Sequence, residues 1–228
     1  MSLNKTEQQA LAALDETGLI STLRELLRIP SITGCEAEAQ RLLGKCMREN
    51  GLEVDLWNID VTELRQHPAF PGMEVARDSH EALGLVGTWQ GSAPGKRLIF
   101  NGHIDVVPEG DHANWQHAPW AAEQDGEFIY GRGACDMKSG LVAGLYAIKA
   151  IKDSGVPLAG SLMVQSVIGE EDGGLGTFAT LLRGHKGDAA IVCEPTCLNL
   201  VPANAGALTF TLRVVGKSAH ASERLEGV

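Results

Sequence analysis

The chain has 228 residues, 44% of them hydrophobic and 21% charged, with a formal net charge of −10. That length suits one large domain, or one domain and part of a second, with a core large enough to need no disulfide staples. Acidic residues are scattered rather than gathered in a tail, which argues against nucleic acid and membrane surfaces as partners.

No apolar run reaches the ~18 residues of a membrane-spanning helix, and the polar stretch Met1 to Ala10 does not read as a secretory signal. Five cysteines (Cys35, Cys46, Cys135, Cys193 and Cys197) form an odd set. Without a signal peptide they read as reduced thiols in a cytoplasmic protein. Cys193 and Cys197 lack the second pair that a tetrahedral metal site needs, so they are expected to be buried and inert.

Leu19, Leu23, Leu26 and Leu27 recur at helical spacing until Pro30 stops them. Glu36 to Asn50 predicts a second helix, closed by Gly51. Leu52 to Trp57 alternates as a strand. Val61 to Leu83 holds two prolines and little periodicity, so it is expected to be a long surface excursion. Strands are expected at Leu85 to Trp89, Arg97 to Val107, Phe128 to Tyr130, Ser161 to Ile168 and Ala189 to Cys193, with helices at Lys138 to Lys152 and Gly176 to Arg183. The run Leu98-Ile99-Phe100 suits a strand buried on both faces. Alternating strands and helices predict an α/β fold: a mixed, mostly parallel sheet with helices on both faces. From Leu198 the pattern changes, and Leu208 to Val215 alternates like a half-exposed antiparallel strand. A domain boundary is expected near residues 200–206, separating residues 1–204 from residues 205–228.

Several strand ends carry ligand chemistry. His103 and Asp105 follow a buried strand with i, i+2 spacing, which points both side chains the same way. His103 can ligate a metal while Asp105 bonds its other ring nitrogen; a structural hydrogen-bonded pair is the alternative. Asp136 lies in Gly131-Arg132-Gly133-Ala134-Cys135-Asp136-Met137-Lys138-Ser139-Gly140, where its carboxylate could bridge two cations or cap the following helix. Arg132 and Lys138 are expected to be structural ion partners. Glu170-Glu171-Asp172 ends a strand, and three adjacent carboxylates repel one another unless cations or protons compensate. A solvated acidic loop is the alternative there. Glu194 stands at a further strand end, where ligands of open α/β sheets gather. His67, His80, His185, His112 and His117 are expected at the solvent surface.

These segments, with Asn101 to Pro108, Cys193-Glu194-Pro195-Thr196 and Gly216-Lys217-Ser218-Ala219-His220-Ala221-Ser222, follow the order found in metallopeptidase family M20. The chain resembles that family over residues 101 to 222, and the Ile29-Pro30-Ser31 turn fits as well. Members include acetylornithine deacetylase, succinyl-diaminopimelate desuccinylase, aminoacylase and glutamate carboxypeptidase.

The resemblance implies two divalent metal ions, zinc or cobalt. His103, Asp136 and Glu194 would hold one, and Asp136 would bridge to a second held also by Glu171. Glu170 would be the general base toward a metal-activated water, Asp105 would orient His103, and His220 would stabilise the oxyanion. The peptide Asp136-Met137 would be cis. The implied activity is removal of an acyl group from an N-acyl amino acid. A dipeptidase or carboxypeptidase is the second reading, and an inactive homologue serving as a binding module is the third. Residues 1–204 would belong to the catalytic domain and residues 205–228 would begin a small α+β lid domain, through which family members dimerise. The family's last histidine ligand comes from a later segment, so this chain is expected to bind the first metal better than the second and to hydrolyse poorly.

Overall fold

The computed structural model describes residues 3–203, with residues 206, 212, 213, 215–217, 219–223 and 225–227. The chain divides into two compact units, Met1–Cys197 and Leu198–Val228. The expected strand Leu208 to Val215 falls largely outside the described residues, as does Ser218. The second unit contains a short 3-10 turn, Ala221–Glu223.

The first unit is built on a five-stranded sheet of order β1-β2-β6-β3-β7, formed by Glu53–Asn58 (β1), Leu83–Gln90 (β2), Ala93–His103 (β3), Ala159–Val167 (β6) and Ala189–Val192 (β7). A separate two-stranded ribbon joins Glu123–Asp125 (β4) to Phe128–Tyr130 (β5). The pairings β1·β2 and β2·β6 are antiparallel, while β3 pairs parallel with β6 and with β7. The sheet is therefore mixed. Its three parallel strands end at one edge, and that edge carries the site.

The helices are Lys5–Ala12 (α1), Glu16–Leu27 (α2), Ala37–Glu49 (α3), Val61–Leu64 (α4), Ser139–Asp153 (α5) and Leu175–Leu182 (α6). In α3 the buried residues Ala39, Leu43 and Met47 recur every four residues, the stripe that faces a core. α5 buries Leu141, Leu145 and Ile148 in the same way. Gly144 lets α5 approach Phe100, while Gly187, just beyond α6, lies against Ile99. Phe100 and Ile99 point to opposite faces of β3. The crossover from β3 through α5 to β6 runs to one side of β3, and the crossover from β6 through α6 to β7 returns past it. Right-handed crossovers in opposite directions lie on opposite faces of a sheet.

The structure departs from the sequence pattern in four places. α1 was not anticipated. It buries no residue, so it has no core stripe; a capping box between Asn4 and Glu7 starts it. β3 stops at His103 rather than Val107 because its pairing with β6 ends there, and the chain turns aside to bond residues 31–33 through Val106. Within β3 only Ile99 of the three central apolar residues is buried; Leu98 and Phe100 are half-buried. The excursion opens with the single turn α4, capped by Asp60.

Among the described residues, Lys138 and Arg132 bond to main-chain oxygens rather than to carboxylates. The Lys138 side chain is fully buried, and its Nζ donates to the main-chain oxygens of Leu26 (2.9 Å) and Ile29 (3.0 Å). It thereby joins the start of α5 to the end of α2, and burial pushes its pKa down to about 7. Arg132 lies 5.2 Å over the Trp115 ring and reaches the Pro108 oxygen.

Candidate metal centre

β3 ends at His103, at the centre of the parallel trio. Glu170 and Glu171 follow β6 on one side, Glu194 follows β7 on the other, and Asp136 precedes α5. Topology alone thus brings five of the expected residues to one edge of the sheet.

The His103 side chain is almost wholly buried. Its Nδ1 lies 2.8 Å from the main-chain oxygen of Asp105, and its Nε2 lies 3.0 Å from Asp136 Oδ1. Glu170 Oε2 and Glu194 Oε1 are each 3.9 Å from the same Nε2. With Nδ1–H donating to the carbonyl, Nε2 presents a lone pair toward three carboxylates, an arrangement that calls for a proton or a cation. Burial opposes charge on the ring, but Asp105, Glu170 and Glu194 outweigh it and hold the His103 pKa above its ordinary value. Burial raises the Glu171 carboxyl, and neighbouring Asp136 adds to the shift. Glu194 is raised by burial and then by Asp136 and Glu170, against the pull of His103.

Asp105 orients the ring differently from the expectation. Its carboxylate is 3.7 Å from Nδ1, too far for a hydrogen bond; its own carbonyl does the holding. The carboxylate is engaged elsewhere. It accepts from the main-chain N–H of Glu170 (3.1 Å) and Glu171 (3.3 Å), and from Thr33 Oγ1 (3.1 Å). Asp105 therefore sets the turn that presents both glutamates.

Asp136 is not a helix cap. α5 takes Lys138 as its N-cap residue with no side-chain bond, and Asp136 has the extended dihedrals φ −118° and ψ 105°. The Asp136-Met137 peptide is cis, as the family pattern implied.

Ligand atoms of His103, Asp136 and Glu171 all lie within 4.8 Å of one another. The donor set of one imidazole and two carboxylates is of the kind that holds a divalent metal ion. The compact trio differs from the implied allotment, which pairs Glu194 with His103 and gives Glu171 to the second ion. Glu194 nevertheless stands beside the same Nε2. His220 belongs to the second unit, where its Nδ1 is 2.9 Å from Ser222 Oγ and 3.3 Å from the Ser222 main-chain nitrogen.

The position of Glu194 depends on Gly140. A Cβ there would come within 2.1 Å of the Cys193 oxygen and 2.8 Å of its Cβ. Only glycine lets the first turn of α5 approach the chain just before Glu194. Gly140→Ala is expected to cost about 1–3 kcal/mol, the usual range for overpacking, and to weaken metal binding by displacing Glu194. Denaturant unfolding and metal titration on the same variant check this; unchanged values for both would show that the contact relaxes freely.

Other titratable residues fall partly outside the expectation. His185 is half-buried, 2.9 Å from Asp55 Oδ2 and packed near Trp57. His117 stacks on Tyr130 at 3.9 Å and pairs with Glu123. His67, His80 and His112 are exposed. Cys197 is exposed and Cys193 half-buried, so that pair is not buried as expected; all five thiols are free. Sequence reasoning missed Thr33 and Arg77. Thr33 lies near a recognised turn, but no local pattern ties either residue to a strand end some 70–95 positions away.

The fold and the cluster define an α/β protein with a histidine–carboxylate centre at its strand ends. The model of peptidase family M20/M25/M40 matches residues 99–222, a span that includes every candidate site residue, and the chain belongs to that family. It is 33% identical over 212 residues to a succinyl-diaminopimelate desuccinylase of Methylocella silvestris, covering 88% of this chain and 50% of that protein. It is 34% identical over 154 residues to an N-formyl-4-amino-5-aminomethyl-2-methylpyrimidine deformylase of Bacillus subtilis, covering 68% of this chain and 32% of the relative. The chain thus spans between about a third and a half of the length of these curated relatives. Among solved structures, a di-peptidase of Saccharomyces cerevisiae superposes with a TM-score of 0.64 at 20% identity, over 81% of this chain and 40% of its own. An M20 family metallo-carboxypeptidase of Sulfolobus solfataricus gives 0.61 at 24% identity, over 78% and 37%. These two bear on the fold. Among the described residues, no helix is long and apolar enough to cross a membrane.

Proposed function

We propose that the protein is a metal-dependent amidohydrolase that removes an acyl group from an N-acyl amino acid. The observation that carries this reading is the cluster itself: His103 Nε2 faces Asp136, Glu170 and Glu194, with Glu171 within ligand distance. A bound zinc or cobalt ion would polarise the substrate carbonyl and acidify the attacking water. His103, Asp136, Glu171 and Glu194 are assigned to hold two such ions, with Asp136 between them. Glu170 is assigned as the general base. Its carboxylate is half-exposed, 3.9 Å from His103 Nε2, and outside the compact trio. Glu170 takes the proton of water and returns it to the leaving amine. Asp105 fixes the imidazole through its carbonyl and the glutamate turn through its carboxylate. His220 is assigned to the developing oxyanion; the Ser222 N–H toward Nδ1 leaves Nε2–H as the donor.

The choice of an acyl substrate is supported by relatives named as a desuccinylase and a deformylase, the former matching along 88% of the chain. We assign residues 205–228 to the start of a lid domain, a homodimer to the whole protein and the cytoplasm as its compartment. The zinc- or cobalt-loaded protein is expected to cleave N-succinyl and N-acetyl amino acids faster than unblocked dipeptides, with released amine as the readout. Faster cleavage of the dipeptides would replace this reading with the peptidase one. No turnover of either class by a metal-loaded protein that also carries the later histidine ligand would favour a binding module.

A further inference from the structure

We propose that Arg77 is a positioning residue for the metal centre, holding the turn that carries Glu170 and Glu171. The proposal rests on the metal-centre reading above. Arg77 lies in the excursion between α4 and β2, a stretch with no regular structure around it, yet its side chain is fully buried. A buried guanidinium is costly unless paired. Arg77 Nη2 lies 3.0 Å from Glu36 Oε1, and Nη1 lies 3.2 Å from Asp172 Oδ2; both carboxylates are buried too.

Asp172 is the residue directly after Glu171. Its carboxylate also accepts from the main-chain N–H of Glu74 (2.6 Å) and Val75 (3.1 Å). The turn is therefore gripped from two directions. Asp105 holds the amides of Glu170 and Glu171, and Arg77 with the 74–75 backbone holds the carboxylate that follows. The guanidinium also presses on the start of the turn: a Cβ at Gly169 would come within 2.6 Å of Arg77 Nη2. Gly169 has φ +62°, a conformation that favours glycine in any case.

The cluster is poor as a stabilising device. Among the described residues, Glu36 Oε2 and Arg77 Nε are buried without a hydrogen-bond partner, and apolar residues in such a place are often as stable or more so. Its placement one residue from a metal ligand gives it a different use. It fixes a glutamate pair whose members would otherwise repel each other and the neighbouring Asp136.

Cobalt(II) titration of the chain, read by visible absorption, tests this without turnover. The double variant Glu36→Gln/Arg77→Met removes both charges of the Glu36–Arg77 pair and leaves the Asp172 carboxylate on the Glu74 and Val75 amides, so it should keep the wild-type far-ultraviolet circular dichroism. It is expected to bind cobalt at least tenfold more weakly, with shifted d–d bands, while Glu36→Gln alone changes binding little and Arg77→Lys recovers part of the loss. A folded double variant with wild-type affinity and spectrum overturns the proposal. Should the double variant fail to fold, Asp172→Asn decides: it keeps an acceptor oxygen for the Glu74 amide, loses the one that Val75 and Arg77 share together with its charge, and wild-type binding by it overturns the proposal equally. Asp136→Ala separates the two levels. Cobalt binding that survives Asp136→Ala, or is absent from the wild type, removes the metal-centre reading and this proposal with it. Binding lost with Asp136 but unaffected at Arg77 and Asp172 removes only this one.

Discussion

Asp136→Ala abolishes zinc binding and the stabilisation that zinc confers: this is the largest expected effect on the folded chain. Asp136 supplies the carboxylate oxygen nearest to His103 Nε2, at 3.0 Å, and belongs to the compact trio with Glu171. Its side chain is more than half exposed and its backbone is extended, so alanine removes a ligand without opening a cavity. For the wild type, zinc at a hundredfold excess over its dissociation constant stabilises the fold by about 2.7 kcal/mol. That corresponds to a rise in Tm of about 5–11 °C for a chain of this size. The variant should show no rise. The effect also has a pH signature. His103, Glu171 and Glu194 all have pKa values raised above ordinary. Each therefore contributes stability to the metal-free fold that is fully present below its unfolded pKa and lost as pH rises through its folded one. Zinc displaces those same protons. The zinc-induced rise in Tm should be largest near neutral pH and shrink on acidification, beginning above the pH at which an exposed glutamate protonates. Thermal unfolding with and without zinc between pH 5 and 8 measures both. A rise that persists in Asp136→Ala, or that ignores pH, would contradict the assignment of these ligands.

The residues proposed as ligands were legible in the sequence because each stands where a recognisable strand or turn ends. His103, Glu170, Glu171 and Glu194 follow apolar runs of strand length, and once those strands are parallel their ends must meet. Asp136 was ambiguous as a single residue, since an aspartate before a helix is commonly a cap. Only the observed N-cap at Lys138 separates the two uses. What escaped was carried by groups with no periodicity. The Asp105 carbonyl, rather than its carboxylate, holds His103, and no sequence records which oxygen a ring will choose. Arg77 lies in a segment without helical or strand pattern and meets Asp172 across 95 positions. Lys138 has charged-surface composition and a fully buried location, because two carbonyls at the end of α2 accept its protons. α1 was missed for the opposite reason: a helix held by its cap and burying nothing leaves no stripe to read.

Glu170→Gln should lower turnover by about 10²–10⁴-fold, the range for loss of a general base, equivalent to about 2.7–5.5 kcal/mol in the barrier. The substitution is close to isosteric. The Glu170 main-chain N–H stays bonded to Asp105, and the side chain is half-exposed. Metal content should therefore remain at the wild-type value, and the loss should appear in kcat with KM little changed, as for an interaction made in the transition state alone. The neighbouring residue gives the contrast. Glu171 belongs to the trio whose ligand atoms lie within 4.8 Å, whereas Glu170 stands 3.9 Å from His103 outside it. Glu171→Gln should lose metal together with activity; Glu170→Gln should lose activity alone. Steady-state kinetics and elemental analysis on the two purified, metal-loaded variants distinguish the roles. If Glu170→Gln loses metal as well, Glu170 is a ligand and the base lies elsewhere. If it retains full turnover, the proton of the attacking water goes to another group, and the hydrolytic mechanism proposed for this centre falls.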